Sequence, residues 1–412
     1  VDADAALVAE LAGRDDVLRL AGDSPIRVPE TVQPGDDVEA GDSPTAIEWN
    51  IVQVHADDVW ALGHTGTGVV VAGQDTGYQW DHPALKAKYR GWNGASANHA
   101  YNWHDAIHEN NPNTPDGNPC GFDLAAPCDD HGHGTHTLGT MVGDDGGSNQ
   151  IGMAPGAKWI SCRNMEQGWG TPTTYTECFQ WFLAPTDLAG QNPNPALAPD
   201  VINNSWGCPT DEGCNSGNFA TMQAAVDALR AAGVAVVVSA GNSGSGCSSV
   251  STPAAIFDSV ITVGNTTSTD TIAGTSSRGP VSVDASNRRK PDISAPGSCI
   301  RSSVPGSAYG ECWSGTSMAG PHVAGAVALL LSAEPALSGD VDAIEKRLER
   351  TTLLRPTTQG CGGDSSTIVP NNTFGWGRLD VLAAVTTLLA DDFEPTTFGR
   401  WDLVCPGAPG CE

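Results

Sequence analysis

Three short segments, far apart in the chain, each carry a side chain that a hydrolytic enzyme uses. Asp75 follows an apolar run (residues 69–72) and precedes a Thr-Gly pair, so the sequence places a carboxylate at the end of a buried strand. His133 lies in HGHGTHT (residues 131–137), where small residues allow an imidazole at a helix N-terminus to approach other backbone. Ser317 lies in GTSMAGPH (residues 315–322), which opens a helix. Small neighbours are what a nucleophile approached by a peptide carbonyl requires.

Each segment alone has a structural explanation: an aspartate after a strand often caps a loop, and a serine at a helix start often caps the helix. Together the three side chains follow the order Asp–His–Ser, which is one of the chain orders of the serine triad. A hydroxyl needs an adjacent base to become nucleophilic, and the base needs a carboxylate that fixes its tautomer. A fourth segment, VVVSAGNSG (residues 236–244), places Asn242 after a buried strand, where its amide can donate to a developing oxyanion.

The elements that must position these side chains alternate between strands and helices. Apolar β-branched runs predict strands at residues 68–72, 158–161, 200–203, 234–239 and 260–263. Helical patterns lie between and after them, at residues 134–142, 219–232, 317–331, 338–351 and 378–389. This alternation predicts an α/β fold with a mostly parallel central sheet covered by helices on both faces. Ligands of such sheets bind beyond the carboxyl ends of the strands. Residues 102–128 are predicted to form a long surface loop.

Charge and hydropathy exclude several classes of protein. The chain has 48 Asp and Glu against 20 Lys and Arg, for a net charge of −28, so nucleic acid and anionic membrane surfaces are not expected partners. No run approaches the ~18 consecutive apolar residues of a membrane-spanning helix, so none is predicted.

Cysteine usage points to an oxidising compartment. The chain has 12 cysteines, several in close pairs: Cys120 with Cys128, Cys208 with Cys214, and Cys405 with Cys411. No CxxC occurs, so disulfides are favoured over zinc ribbons, although the full connectivity stays open. Because the chain begins at Val1 without a signal peptide, we expect a processed form of a secreted precursor.

Eight motifs make the chain resemble the subtilases, the subtilisin-like serine peptidases, over about four fifths of its length. They are GQDTGYQWDHPAL, HGHGTHTLGTMVG, APGAKWI, APDVINNSWG, SAGNSG, KPDISAPG, IRSSVPG and GTSMAGPHVAGAVALL, in the family's order. The resemblance implies a three-layer subtilisin-like domain and a secreted endopeptidase that works through an acyl-enzyme. It implies that Asp75 is the triad acid, His133 the base, Ser317 the nucleophile and Asn242 the oxyanion donor. His136 would be a structural neighbour.

The resemblance also implies a substrate site. Ser205, Trp206 and Gly207 match a segment that pairs with the substrate backbone and walls the S1 pocket; Ser239, Ala240 and Gly241 match the opposite wall. The substrate would bind as an added strand, which tolerates many sequences. Trp206 at this wall favours apolar or large uncharged P1 side chains.

No cofactor is expected for the chemistry. Many subtilases bind calcium through an aspartate in the first motif, but Ala84 stands at that position, and the loop at residues 144–150 is shorter than the usual calcium loop. The usual strong calcium site is therefore not expected, although another acidic loop can still bind calcium.

Three regions are predicted. Residues 1–46 resemble the end of an inhibitory prodomain, followed by an acidic linker; an N-terminal extension that packs on the domain is an equal alternative. Residues 47–390 form the peptidase domain, and residues 391–412 a tail that a disulfide can close. The expected partners are polypeptides and the chain's own prodomain, and a monomer is expected. Two rival functions are a binding protein on the same scaffold and a zinc hydrolase that uses His131, His133 and His136.

Overall fold

A seven-stranded parallel sheet lies at the centre of the computed structural model, which describes residues 4–14, 16–17, 20, 23, 26–27, 47–111, 113–114, 117–207 and 217–387. Its strands in chain order are β2 (Val70–Asp75), β3 (Trp103–Asp105), β4 (Lys158–Arg163), β7 (Val201–Asn204), β8 (Ala235–Ser239), β9 (Ile261–Thr266) and β10 (Ile293–Pro296). The predicted parallel α/β fold is confirmed.

The strand order places the end of β2 at a change of direction. The sheet runs β10-β9-β8-β7-β2-β4-β3, so the chain moves from β2 to β4 on one side and returns to β7 on the other. Val71 of β2 is paired with Trp159 of β4 and with Val201 of β7. A crevice forms where the strand order reverses, and ligands of open α/β sheets bind there.

Helices cover both faces of the sheet because the strands alternate their apolar side chains. Val71 and Val237 belong to one core, and Ala72 and Val238 to the other. The first core is shared by α2 (Trp49–Gln53), α3 (Ala56–Ala61), α4 (His133–Val142), α7 (Thr316–Ala333), α8 (Val341–Arg350) and α9 (Val381–Thr386). The second is shared by α5 (Pro172–Leu183) and α6 (Phe219–Ala231).

Helix α7 is apolar around its whole circumference. By length and composition alone it is the one helix in the described residues that could cross a membrane, but 89% of it is buried in the domain. A helix that is apolar on all sides is stable in a water-exposed domain only when the domain buries every side of it. In this structure α7 is therefore the central core helix, and it packs against α4 and strands β7 to β10.

Smaller elements lie around this centre. Strand β1 (Ile26–Arg27) pairs with β6 (Trp169–Gly170), which pairs with β5 (Met165–Glu166), and β11 (Ile300–Val304) forms a hairpin with β12 (Ala308–Trp313). Helix α1 is Ala5–Ala12, and short 3₁₀ turns lie at Lys86–Lys88, Pro195–Leu197, Pro335–Leu337 and Cys361–Gly363. The predicted tail at 391–412 and most of the linker before residue 47 lie outside the described residues.

The predicted surface loop at residues 102–128 is wrong at its start. Trp103–Asp105 forms the edge strand β3, and Trp103 is buried. A strand of three residues is too short to show a periodic pattern in sequence, so the tryptophan was its main signal.

Four disulfides cross-link the described residues. They join Cys120 to Cys128, Cys162 to Cys178, Cys247 to Cys361, and Cys299 to Cys312. The first pair was expected from sequence and is confirmed. Cys208, Cys214, Cys405 and Cys411 lie outside the described residues.

Candidate active site

Asp75 and His133 are in direct contact. Nδ1 of His133 lies 2.7 Å from Oδ1 and 2.9 Å from Oδ2 of Asp75, and both side chains are buried. The amide of Thr76 donates to Oδ1 of Asp75 at 2.8 Å, which holds the carboxylate in place. A Cβ on Gly134 would lie 2.1 Å from the carbonyl oxygen of Gly77, so only glycine lets α4 start this close to the end of β2.

A residue that the sequence reasoning missed anchors the start of α4. Asp129 Oδ1 accepts from the amides of His131 and Gly132 at 3.0 and 2.7 Å, and Oδ2 accepts from the amide of Thr135 at 3.0 Å. Asp129 Oδ1 also accepts from the Thr76 hydroxyl at 2.9 Å, next to Asp75. Carboxylates stabilise helix N-termini by accepting their free amides. An aspartate four residues before His133 was the signal that could have revealed this contact.

Ser317 lies in the first turn of α7 and is fully buried. Its Oγ donates to the carbonyl oxygen of Ser205 at 3.2 Å, whereas Nε2 of His133 is buried and has no hydrogen-bond partner among the described residues. The structure thus forms the acid–imidazole link but not the imidazole–hydroxyl link. Catalytic hydrogen bonds are often long or poorly aligned without substrate and tighten when it binds.

Asn242 presents an unused donor beside the same turn. Its Oδ1 accepts from the amide and the hydroxyl of Thr316 at 2.9 and 3.0 Å, so the side chain is fixed with Nδ2 on its other side. Nδ2 is buried and has no hydrogen-bond partner in the part of the chain that the structure describes. A buried, unpaired donor next to Ser317 suits an oxyanion that forms only during reaction.

The two expected substrate walls follow β7 and β8, but their side chains point inward. Ser205 and Ser239 are buried and bond to α7, while Gly241, with φ of 98°, donates its amide to the Thr316 hydroxyl at 3.1 Å. Trp206 is 1% exposed and stacks on Tyr175 with ring centroids 3.7 Å apart. The indole therefore packs in the second core rather than lining an open pocket. Gly207 and Ala240 continue these two segments, and Ala240 is buried.

The N-terminal segment lies on an edge strand close to Asp75. The amide of Asn164, at the end of β4, donates to the Asp75 carbonyl at 3.0 Å, and the chain then forms β5 and β6. Strand β1 pairs antiparallel with β6, so that Ile26 faces Gly170 and Arg27 faces Trp169. The partner of so short a strand is set by tertiary contacts between segments far apart in the chain, so this pairing could not be foreseen.

The other histidines have separate partners. His136 Nε2 faces the carbonyl oxygen of Ile300 at 3.2 Å, its ring stacks on Trp313, and burial lowers its pKa to about 3. Burial lowers the pKa of His322 to about 4, and its Nε2 lies 2.7 Å from Asn50 Nδ2. His131 is exposed in the loop before α4. The imidazoles of His133 and His136 are thus engaged in different directions rather than around one metal position.

Two acidic regions of the chain bear on metal binding. At the loop of residues 144–150, the Arg301 guanidinium contacts Glu48 at 3.0 Å and Asn149 at 2.7 Å, so a side-chain cation already joins these segments. Elsewhere in the described residues, oxygens of Asp292, Glu345 and Glu349 lie within 4.8 Å of one another. Burial, followed by these neighbouring carboxylates, raises the pKa of Glu349 to about 8. This second group has the donors that calcium prefers.

Comparison with known proteins is consistent with this geometry. The family model of the subtilase family matches residues 66–377. Bacillopeptidase F of Bacillus subtilis (strain 168) is 43% identical over 350 residues, which are 83% of this chain and 22% of that protein. Subtilisin DY of Bacillus licheniformis is 34% identical over 310 residues, which are 74% of this chain and 91% of that protein. The chain thus spans less than a quarter of bacillopeptidase F but most of subtilisin DY.

Proposed function

Because the chain belongs to the subtilase family of serine peptidases, we propose that it is a secreted endopeptidase that hydrolyses peptide bonds through an acyl-enzyme. One observation carries the proposal. The imidazole of His133 is held by Asp75 on one side and has a free, buried Nε2 on the other, while the free Nδ2 of Asn242 lies beside the turn that carries Ser317.

The proposed reaction uses these side chains in sequence. The Ser317 hydroxyl turns from the Ser205 carbonyl to His133 Nε2, gives up its proton there and attacks the substrate carbonyl. Asp75 holds the tautomer of His133 and stabilises the imidazolium that forms. Asn242 Nδ2 and the Ser317 amide receive the oxyanion. His133 then protonates the leaving amine, and water hydrolyses the ester by the same steps in reverse. No cofactor takes part, and calcium would have a structural role only.

Polypeptides are the proposed substrates, bound as an added strand beside residues 205–207 and along β6. In this proposal residues 1–46 are a prodomain remnant and linker, the enzyme is a monomer outside the cell, and β1 occupies the edge that a substrate strand would use. The pairing of β1 with β6 supports this role.

The role of β1 is tested by breaking its pairing. Proline has no amide to donate, so the double substitution Ile26→Pro/Arg27→Pro should raise kcat/KM for peptide substrates by about tenfold or more. Asp4→Ala is the matched control, because it removes only the cap of α1. An unchanged kcat/KM in the proline variant would favour an N-terminal extension without inhibitory function.

The central test is Ser317→Ala, which removes the nucleophile and should lower turnover of an unfolded protein by about 10⁴-fold or more while the fold remains intact. A fluorophosphonate should label Ser317 in the parent chain, as located by mass spectrometry of peptides. Parental activity in the variant, or a label on another residue, would refute the assignment. Activity that a chelator removes and serine reagents leave intact would indicate a zinc hydrolase, and binding without turnover a binding protein.

A further inference from the structure

Helix α7 contains a proline one turn after Ser317, and this creates a gap in its hydrogen bonds. Pro321 has no amide hydrogen, so the carbonyl of Ser317, four residues earlier, lacks the amide that would normally bond to it in an α-helix. Both residues are buried. A buried carbonyl without a partner destabilises the fold, so the structure must satisfy it from another element.

The hydroxyl of Ser205 fills this gap. Its Oγ donates to the Ser317 carbonyl oxygen at 2.9 Å, from a position 112 residues away in the chain. The side-chain Nδ2 of Asn203 donates to Ser205 Oγ at 2.9 Å, which leaves the hydroxyl hydrogen free for Ser317. A Cβ on Gly320 would lie 2.9 Å from Asn203 Oδ1 and 3.7 Å from Ser205 Oγ, so this glycine provides room for the contact.

We infer that Ser205 is a positioning residue whose hydroxyl replaces the amide that Pro321 lacks, and thereby fixes the turn that carries Ser317. Ser239 adds a second tie, since its Oγ donates to the Thr316 carbonyl oxygen at 2.9 Å. The inference rests on the proposed function, because the turn sets both the nucleophilic hydroxyl and the Ser317 amide of the oxyanion site. Pairing with the substrate backbone would use only main-chain groups of Ser205, whereas this role uses its side-chain hydroxyl.

A double-mutant cycle between positions 205 and 321 tests the inference. Ser205→Ala should lower kcat by about tenfold and change KM by less than about twofold, because the turn shifts while substrate binding is kept. Pro321→Ala restores an amide to the helix, so Ser205→Ala should cost no more than about twofold in kcat in that background. Losses of equal size in both backgrounds would overturn the inference.

Ser303→Ala is the matched control. Ser303 donates to the Thr135 carbonyl oxygen at 2.9 Å, but in α4 the residue four positions on is Gly139, which has an amide. We expect kcat to change by less than about twofold in this variant. If Pro321→Ala does not fold, Ser205→Thr replaces it: retained kcat supports the inference, and a loss as large as that of Ser205→Ala overturns it.

Unfolding by urea, measured in Ser317→Ala forms to prevent self-digestion, gives a readout that does not need activity. Ser205→Ala should lower the urea midpoint more with Pro321 than with Ala at that position, and equal shifts would overturn the inference. A parent chain that neither hydrolyses peptides nor reacts with a fluorophosphonate would refute the proposed function instead, while the unfolding cycle would still decide the contact.

Discussion

Helices α4 and α7, which carry His133 and Ser317, both receive two serine hydroxyls on carbonyls of their first turns. At α4, Ser303 donates to Thr135 at 2.9 Å and Ser302 to His136 at 2.7 Å. At α7, Ser205 and Ser239 donate to Ser317 and Thr316. Each helix also has a glycine, Gly139 or Gly320, that makes room for these hydroxyls.

The two helix starts differ in what completes them. The backbone amides around the start of α4 donate to the carboxylate of Asp129, which lies in the loop directly before the helix. At the start of α7, the Thr316 amide donates to the neutral side chain of Asn242, which lies 74 residues away in the loop after β8. Because of Pro321, the Ser317 carbonyl accepts its hydrogen bond from the Ser205 hydroxyl. The base is therefore positioned by local charge, and the nucleophile by the sheet.

The largest expected effect in this comparison is at Asp129. Asp129→Ala leaves the amides at the start of α4 without their acceptor, so His133 should move relative to Ser317, and kcat should fall by about 10²-fold with little change in KM. Asp129→Asn keeps one oxygen acceptor and should lose about tenfold. We would measure kcat with a chromogenic peptide and correct for the active fraction by fluorophosphonate titration.

Asp123→Asn is the control for this prediction. Asp123 lies in the same disulfide-containing loop, and its exposed carboxylate contacts His108 rather than α4. Its loss should therefore leave kcat nearly unchanged. If Asp129→Ala were no worse than Asp123→Asn, the start of α4 would not depend on local charge, and the contrast with α7 would disappear.

The sequence predicted residues and strands better than it predicted contacts. The chemistry of residues 315–322 could be predicted because its small residues fit a nucleophile. Strands β2, β7, β8 and β9 could be predicted because each contains adjacent β-branched residues, most of them apolar. Strands β3, β5, β6, β10, β11 and β12 were not predicted, and β3, β5 and β6 have only two or three residues, too few to show a period. The target of the Ser205 hydroxyl could not be predicted, since it depends on how β7 meets α7 across 112 positions.

A smaller effect separates the two glycines. A Cβ at Gly139 would lie 2.3 Å from both Ser302 Oγ and Ser303 Oγ and 2.9 Å from the backbone nitrogen of Ser303. At Gly320 the only contact under 3 Å is with Asn203 Oδ1, at the end of a side chain. Alanine also favours a helix over glycine by ~1 kcal/mol. Gly139→Ala should therefore lower the free energy of unfolding by about 2 kcal/mol, and Gly320→Ala by about 1 kcal/mol or less.

The activity of the two variants should follow the opposite order. Gly320→Ala pushes on Asn203, which orients the Ser205 hydroxyl, so kcat should fall by about threefold to tenfold although the fold is nearly as stable. Gly139→Ala pushes on Ser302 and Ser303 of the β11–β12 hairpin and not on a residue that contacts Ser317, so the folded fraction should keep most of its kcat. Stability would be measured by urea unfolding of both variants in a Ser317→Ala background. Activity would be measured as kcat, corrected for the active fraction by fluorophosphonate titration. If Gly139→Ala proved to be the more stable or the less active of the two variants, the claim that residues after the sheet strands position Ser317 would be wrong.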